Sequence, residues 1–416
     1  MEFRRYAPFL RKLERYLLAA FLCSLPFDWI KPTGWLVLLV IVSWVVRKPV
    51  HRGLQEAARF PGFWLLAGIA LLHLLAPLYG DSLASLRQPV EKKTGLLVLP
   101  LYFATTRIRP WEAFLWIRAF VVGCLLLGIS ALIISPWMHA QQFPEMGPEQ
   151  YLTGQSLLWF LGVHRVYASM ALLIAVSLLS AHPAFAAWRQ GRFAALLFLL
   201  VLVVLLGSKL YLALLPVLGL IVALRSRRRY RIIVSAVVLG LGVLAAASPF
   251  VQRNVQSTLT GLDPPPPAEV RLGNSLATRL YVWQASWEAL KERPIRGYGV
   301  KGAHYEIQER LEKMGFQEAV RHQLNAHNQY IQIWLELGLV ALLWLGAALG
   351  AFAWRSCRQG APEGLLIAVI IAAGLLTENM LERQMGVLTI SFFLAFGWFG
   401  GLSHPPDKEA ISPHRT

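Results

Sequence analysis

Ala326-His327-Asn328-Gln329-Tyr330 stands at a seam in the chain. Ahead of it lies a long polar segment, residues 251–326; behind it Ile331 to Trp354 is an apolar run whose one acid is Glu336. A helix rises about 1.5 Å per residue, so about 20 apolar residues cross a hydrocarbon layer of about 30 Å. The run reads as a membrane-spanning helix, and its first turn carries a titratable imidazole, His327, to the membrane interface.

Composition extends that reading to the whole chain. With 56% hydrophobic and 15% charged residues and a mean hydropathy of +0.50 over 416 residues, it is too apolar for a soluble globular protein and reads as an all-α polytopic membrane protein. The formal charge of +17 does not point to nucleic acid, because no basic face is interleaved with exposed aromatics. Cys23, Cys124 and Cys357 lie in or beside apolar runs and offer no spacing for a disulfide or a metal site. The first apolar run lacks a small-residue cleavage site and reads as the first span.

About twelve spans are expected. If the chain starts inside, one face receives Arg4, Arg5, Arg11, Lys12 and Arg15, then the clusters Arg47 to Arg59, Arg107/Arg109, Arg189/Arg192, Arg225 to Arg231 and Arg355/Arg358. The short loops of the other face carry only Lys31, Arg87, Lys92, Lys93, Lys209 and Arg383, so the positive-inside bias sets both termini in the cytoplasm. Residues 1–250 then hold spans one to nine, the ninth near 231–250. Residues 251–326 form one large outer loop, 327–403 hold spans ten to twelve, and 404–416 are a cytoplasmic tail.

Two places on the outer face carry cations of interest. Phe193 to Leu224 contains one charge, and the basic clusters on both its flanks demand an even number of crossings, so it turns at Gly207-Ser208-Lys209. Each arm is then only about 16 residues, about 24 Å. Lys209 sits slightly below the outer surface, where a cation either snorkels to water or faces a wet or anionic cavity. Trp137 to His164, with Pro144, Gly147 and Pro148, reads as a loop resting on the membrane. Arg165 follows it at the outer end of the next span, where it either snorkels or touches substrate.

The outer segment opens with Asp263 and the stiff spacer Pro264 to Pro267. Asn274 or Ser275 can cap a helix running to Arg293, with Leu276, Leu280, Trp283, Trp287 and Leu290 at helical spacing. Pro294 ends it, and Gly297, Gly299 and Gly302 suit the tight turn that follows. A second amphipathic helix, about 303–314, closes at Gly315, and the chain returns through Arg321 and His322 to His327. With 10 basic and 8 acidic residues in this segment, individual arginines matter more than the sum.

A polytopic chain with a folded outer loop suits a transporter or an enzyme of the outer leaflet. Embedded acids are few, Glu336 being the clearest, and neither a relay of paired acids nor matched broken helices is visible, which argues against transport. Four aspartates, none in an Asp-x-Asp pair, argue against metal assistance. Charge on a phosphate would then be met by Arg and Lys. Arg279 and Lys209 are the candidates, although Arg279 equally suits a solvated helix face. An imidazole ordinarily titrates near 6.5 and can accept a proton at neutral pH, although a histidine beside Asn328 equally suits a helix start.

His327-Asn328, nine residues, then Gly338 resembles the signature of the O-antigen ligase and polymerase superfamily, in which a histidine followed by Asn, Ser or Gln precedes a glycine at this spacing. Arg279 with Trp283 four residues on, and the Pro294, Gly297, Gly299 turn, precede the histidine in family order. The family pattern closes with Gly, Thr or Tyr three residues after the glycine, where Ala341 stands here, and many relatives place Ser-Arg where this chain has Ser208-Lys209.

The resemblance implies a GT-C-like glycosyltransferase of the bacterial inner membrane, with one large periplasmic helical loop and a site facing the periplasm. Its donor would be a glycan on undecaprenyl diphosphate and its acceptor a hydroxyl of lipid A–core, both among membrane lipids, with no nucleic acid, nucleotide, metal or other cofactor. His327, Arg279 and Lys209 would be catalytic; Arg165, Asn328, Arg321 and Trp283 would bind substrate. An O-antigen polymerase, a protein O-oligosaccharyltransferase and, in a different class, a flippase of lipid-linked glycan remain open.

Overall fold

The computed structural model describes residues 6–28, 30–75, 87–225, 240, 242, 248–271 and 275–402. The cluster Arg4/Arg5, most of the ninth expected span, Asn274 and the expected tail lie outside the described residues. Among those described, every regular element is helical. In chain order they are α1 (Ala7–Ser24), α2 (Ile30–Arg47), α3 (Val50–Ala57), α4 (Pro61–His73), α5 (Arg87–Lys93), α6 (Gly95–Ala104), α7 (Pro110–Gln142), α8 (Pro148–Tyr151) and α9 (Arg165–Ala181). There follow α10 (Arg189–Leu206), α11 (Lys209–Arg225), α12 (Pro249–Thr260), α13 (Ser275–Glu292), α14 (Val300–Lys313), α15 (Gln317–Arg321), α16 (Gln329–Arg358), α17 (Pro362–Thr377) and α18 (Gln384–Trp398), with short 3-10 turns between.

By length and composition, α7 and α16 can each cross a membrane, and α2 with α3, bent by 95°, would pass as one broken span. Six further apolar helices have 10–17 residues. Their outward faces are apolar: Ile133, Leu220, Leu224 and Leu343 are each more than half exposed. Water would penalise such surface and lipid does not, so this is a membrane protein.

At the centre of the bundle stands α9, buried almost along its whole length. Its Ala168, Ser169, Ala171, Ala175 and Ser177 keep its girth small, so α7, α10 and α17 can pack close around it. The largest apolar core joins α1–α4, α6, α7 and α9–α11 with α16, α17 and α18. A second, smaller core belongs to the outer segment: Ala277, Val282 and Ala289 of α13 meet Ile307 and Leu311 of α14, Phe316, Ala319 and Ala326. Leu335 of α16 also belongs to it, while Ile333 and Leu337 of the same turns belong to the larger core, so the start of α16 joins the two.

α16 is not one continuous rod. Gly338 has φ 78° and ψ −175°, which breaks it into residues 329–337 and 339–358. The turn after α13 inserts there. In an unbroken helix the Leu339 amide would donate to Leu335; instead it donates to the Ile295 carbonyl (3.0 Å), while Leu335 and Glu336 carbonyls accept from the amides of Tyr298 (2.7 Å) and Gly299 (3.0 Å). Backbone groups freed by the break are thus satisfied by the turn. The sequence alone reads Ile331 to Trp354 as a single span; the apolar run is interrupted because Gly338 permits the kink and the turn rewards it.

Three other expectations need correction. Trp137 to His164 is not wholly a loop: α7 runs through Pro136 to Gln142, held by Ser135, whose hydroxyl donates to the carbonyl of Tyr151 (2.9 Å), and by His139 stacked on the Tyr151 ring. Lys93 is not a loop cation but 2% exposed, its ammonium 2.6 Å from Glu382 and 3.7 Å from Glu336. Embedded acids are also more numerous than hydropathy suggests, since Glu14, Glu112 and Glu363 are fully buried.

Glu14 and Glu112 tie together segments assigned to one face. Arg47 pairs with Glu14 (2.9 Å), Arg11 (3.0 Å) and Arg15 pair with Glu112, and Arg11 also donates to the Arg107 carbonyl. Those basic side chains are partly neutralised within the fold.

Candidate active site

His327 is held by the backbone on either side of it. Trp283 of α13 donates its indole N–H to the Ala326 carbonyl (2.9 Å), and the His327 amide donates to Asn325 Oδ1 (3.1 Å). Asn328 caps α16, its Oδ1 accepting from the amides of Tyr330 (3.0 Å) and Ile331 (3.2 Å). His327 itself takes φ 44°, a left-handed conformation that costs a β-carbon residue about 1–2 kcal/mol. Such local strain is retained where the surroundings fix it and is found often at functional sites.

The imidazole faces an acid from the connection after α17. His327 Nδ1 is 3.5 Å from Glu378 Oε2, an ion-pair distance rather than a formed hydrogen bond, and Arg279 Nη2 is 3.1 Å from Glu378 Oε1. Burial pushes the Glu378 carboxyl up, but His327, Arg279 and His164 together outweigh it and hold the group below the ordinary range. His164, which caps α9 by accepting from the Val166 amide, is pushed below the usual imidazole range by burial, with Arg383, Arg165 and His327 acting against Glu378.

Around this pair the cations collect. Arg165 at the start of α9 is electrostatically coupled to Arg279 and Glu378, and Lys209 at the start of α11 to Arg165 and Arg279. Lys209 donates to the Ser257 hydroxyl of α12 (3.0 Å), so the hairpin tip is fastened to the outer segment. Gly207, left-handed at φ 57°, ends α10 and makes the turn that presents Lys209 there. The Arg279 Nε is buried and has no hydrogen-bond partner among the described residues, an unmet donor that costs free energy until an acceptor arrives.

Five of the seven residues singled out from sequence therefore meet or adjoin one locus: Arg279, Lys209 and Arg165 in electrostatic reach of one another, His327 joined to Arg279 through Glu378, and Trp283 fixing the backbone before His327. Asn328 is 7% exposed and engaged as a cap. Arg321 is exposed at the end of α15 and joins no ion pair among the described residues.

Sequence reasoning missed Glu378 and His164. A Glu-Asn pair ending an otherwise uncharged helix, Pro362–Thr377 with only Glu363 at its start, was the available signal for Glu378. Chemically, an imidazole backed by a carboxylate, with a cluster of cations beside it, can take a proton from a hydroxyl while polyanionic leaving oxygens are neutralised.

Residues 193–346 match the model of a family described as O-antigen ligase. That stretch includes Lys209, Arg279, Trp283, Arg321, His327, Asn328 and Gly338, and leaves Arg165 and Glu378 outside. No curated protein matched. The matched segment, which supplies the histidine and two of the three clustered cations, is similar to the O-antigen ligase family.

Proposed function

We propose that this protein is an O-antigen ligase: it moves a preassembled glycan from undecaprenyl diphosphate to a hydroxyl of lipid A–core at the periplasmic face of the inner membrane. The observation that carries the reading is the gathering of Arg165, Lys209 and Arg279, from three distant segments, within electrostatic reach of one another beside the His327–Glu378 pair, which Arg279 joins directly. A solvated arginine or a snorkelling lysine needs no such company, and three cations held together repel unless an anion joins them. Glu378 offsets only one of the three charges, and a diphosphate would meet the rest.

In this mechanism His327 removes the proton of the acceptor hydroxyl, whose oxygen attacks the anomeric carbon. The bond from that carbon to the phosphate oxygen breaks and the electron pair leaves with the diphosphate, inverting the configuration. Nδ1 faces Glu378, which leaves Nε2 for the hydroxyl and a carboxylate to steady the imidazolium that forms. Arg279 would meet the phosphate with its unpartnered Nε, and Lys209 and Arg165 would add point charges as negative charge grows. The reading keeps a twelve-span, GT-C-like architecture with cytoplasmic termini, and a lateral approach for two lipids beneath α13 and α14.

An assay with purified protein, undecaprenyl-diphosphate-linked glycan and lipid A–core tests it. Capped core is expected in the wild type and none in His327→Ala. Longer lipid-linked chains instead would reassign the protein as a polymerase, and no new bond would favour a flippase.

A further inference from the structure

Glu336 and Gln332 take no part in the mechanism above, yet Glu336 is buried and heavily partnered. Its Oε2 is 3.2 Å from His73 Nε2 and 3.7 Å from Lys93, and its Oε1 accepts from Gln332 Nε2 at 2.7 Å. With the amide N–H of Gln332 committed to the carboxylate, its Oε1 must point the other way. There it accepts twice: from the Ala326 backbone amide (3.2 Å) and from Asn379 Nδ2 (3.1 Å). Ala326 precedes His327, and Asn379 follows Glu378.

We propose that Gln332 is a positioning residue, a hydrogen-bond bridge that fixes the segment bearing His327 against the segment bearing Glu378, with its polarity set by Glu336. This rests on the reading of His327 as the base. The two segments are 52 residues apart in sequence at the neighbouring Gln329–Leu381 contact, so close alignment of their side chains needs a dedicated tie. Buried amides are oriented by what surrounds them; here the carboxylate admits only one orientation, which makes Oε1 available to both partners. Glu336, the lone acid of its helix, thereby serves alignment rather than transport.

The arrangement predicts a rescue. Gln332→Glu places two carboxylates face to face and should lower kcat at least 10-fold with the donor KM changed less than 3-fold, since Arg279, Lys209 and Arg165 are untouched. Glu336→Gln removes the fixed polarity and should cost less. The double variant Gln332→Glu/Glu336→Gln restores one acceptor group toward Ala326 and Asn379 and one donor behind it, with the same net charge, and should recover kcat to within about 3-fold of wild type. Hydrogen exchange at the Ala326 amide provides a second readout that needs no turnover: protection should fall in Gln332→Glu and return in the double variant. A kcat unchanged in Gln332→Glu, or a double variant no better than that single variant in both readouts, overturns the bridge. A wild type that transfers no glycan while exchange follows the expected pattern would count against the ligase reading and leave the bridge standing.

Discussion

The carbonyl oxygen of Ile295 occupies the place of a side chain on Gly338: a β-carbon built there would lie 2.0 Å from it. The glycine is also at φ 78°, ψ −175°, a region open essentially to glycine alone. Gly338→Ala should therefore cost more than about 3 kcal/mol, strain and backbone displacement combined, and separate the turn after α13 from α16. Thermal unfolding in detergent checks this, with Gly346→Ala as control: nothing lies within 4 Å of a β-carbon there, and a helical alanine should stabilise by about 0.5–1 kcal/mol.

That contact also shows what could be read from the sequence. Gly297, Gly299 and Gly338 were each visible as glycines that a turn or a motif would need, and the helices on either side followed from spacing and from Pro294. Their docking was not visible, because it pairs backbone atoms some 40 residues apart and leaves no side-chain pattern. The cations were legible one by one, each with a plain alternative; only the fold shows that Arg165, Lys209 and Arg279 share a locus. Glu378 was missed because an acid at a helix end resembles any boundary residue. Lys93 was misread because hydropathy cannot tell a cation in a loop from one whose carboxylate partners, Glu336 and Glu382, arrive from elsewhere.

His327 should show a trade between stability and activity. Its φ of 44° strains any residue with a β-carbon, so His327→Gly should be at least as stable as wild type while His327→Ala falls below His327→Gly by about 1 kcal/mol. Both should lose transfer. Thermal midpoints of the three proteins, measured beside their transfer rates, test the pair; a less stable glycine variant would mean that contacts of the ring outweigh the backbone strain.

Glu378 should impose a pH dependence on stability. Its carboxyl titrates lower in the folded protein than in the unfolded chain, so the unfolded state binds the proton first as pH falls. The stabilisation is complete above the ordinary carboxyl value, about 4.3, and is lost as pH drops through the depressed folded value. Glu378→Gln should flatten that acid limb of the thermal midpoint. It should also slow transfer at neutral pH about 10–100-fold, since the imidazolium would lose its counter-charge. An acid limb identical in wild type and variant would show that the carboxylate is not held by His327 and Arg279.

Charge and geometry can be separated at Arg279 and Lys209, the two cations proposed to be catalytic. Arg279 already shares Glu378 through one nitrogen while its Nε is unpartnered, so its value lies in the planar fork that can hold Glu378 and a phosphate together. Lysine keeps the charge and loses the fork; Arg279→Lys should cost about 10-fold or more in kcat/KM, about 1.4 kcal/mol per decade. Lys209 is the reverse case. It reaches Ser257 through a single ammonium and acts as a point charge, so Lys209→Arg should retain or raise the rate, whereas Lys209→Met should lower it about 10–100-fold with the larger effect on kcat, because the charge it meets grows toward the transition state. Steady-state kinetics over donor concentration distinguish these outcomes. Equal losses in Lys209→Arg and Lys209→Met would show that Lys209 serves the hairpin's attachment to α12 and not the leaving group.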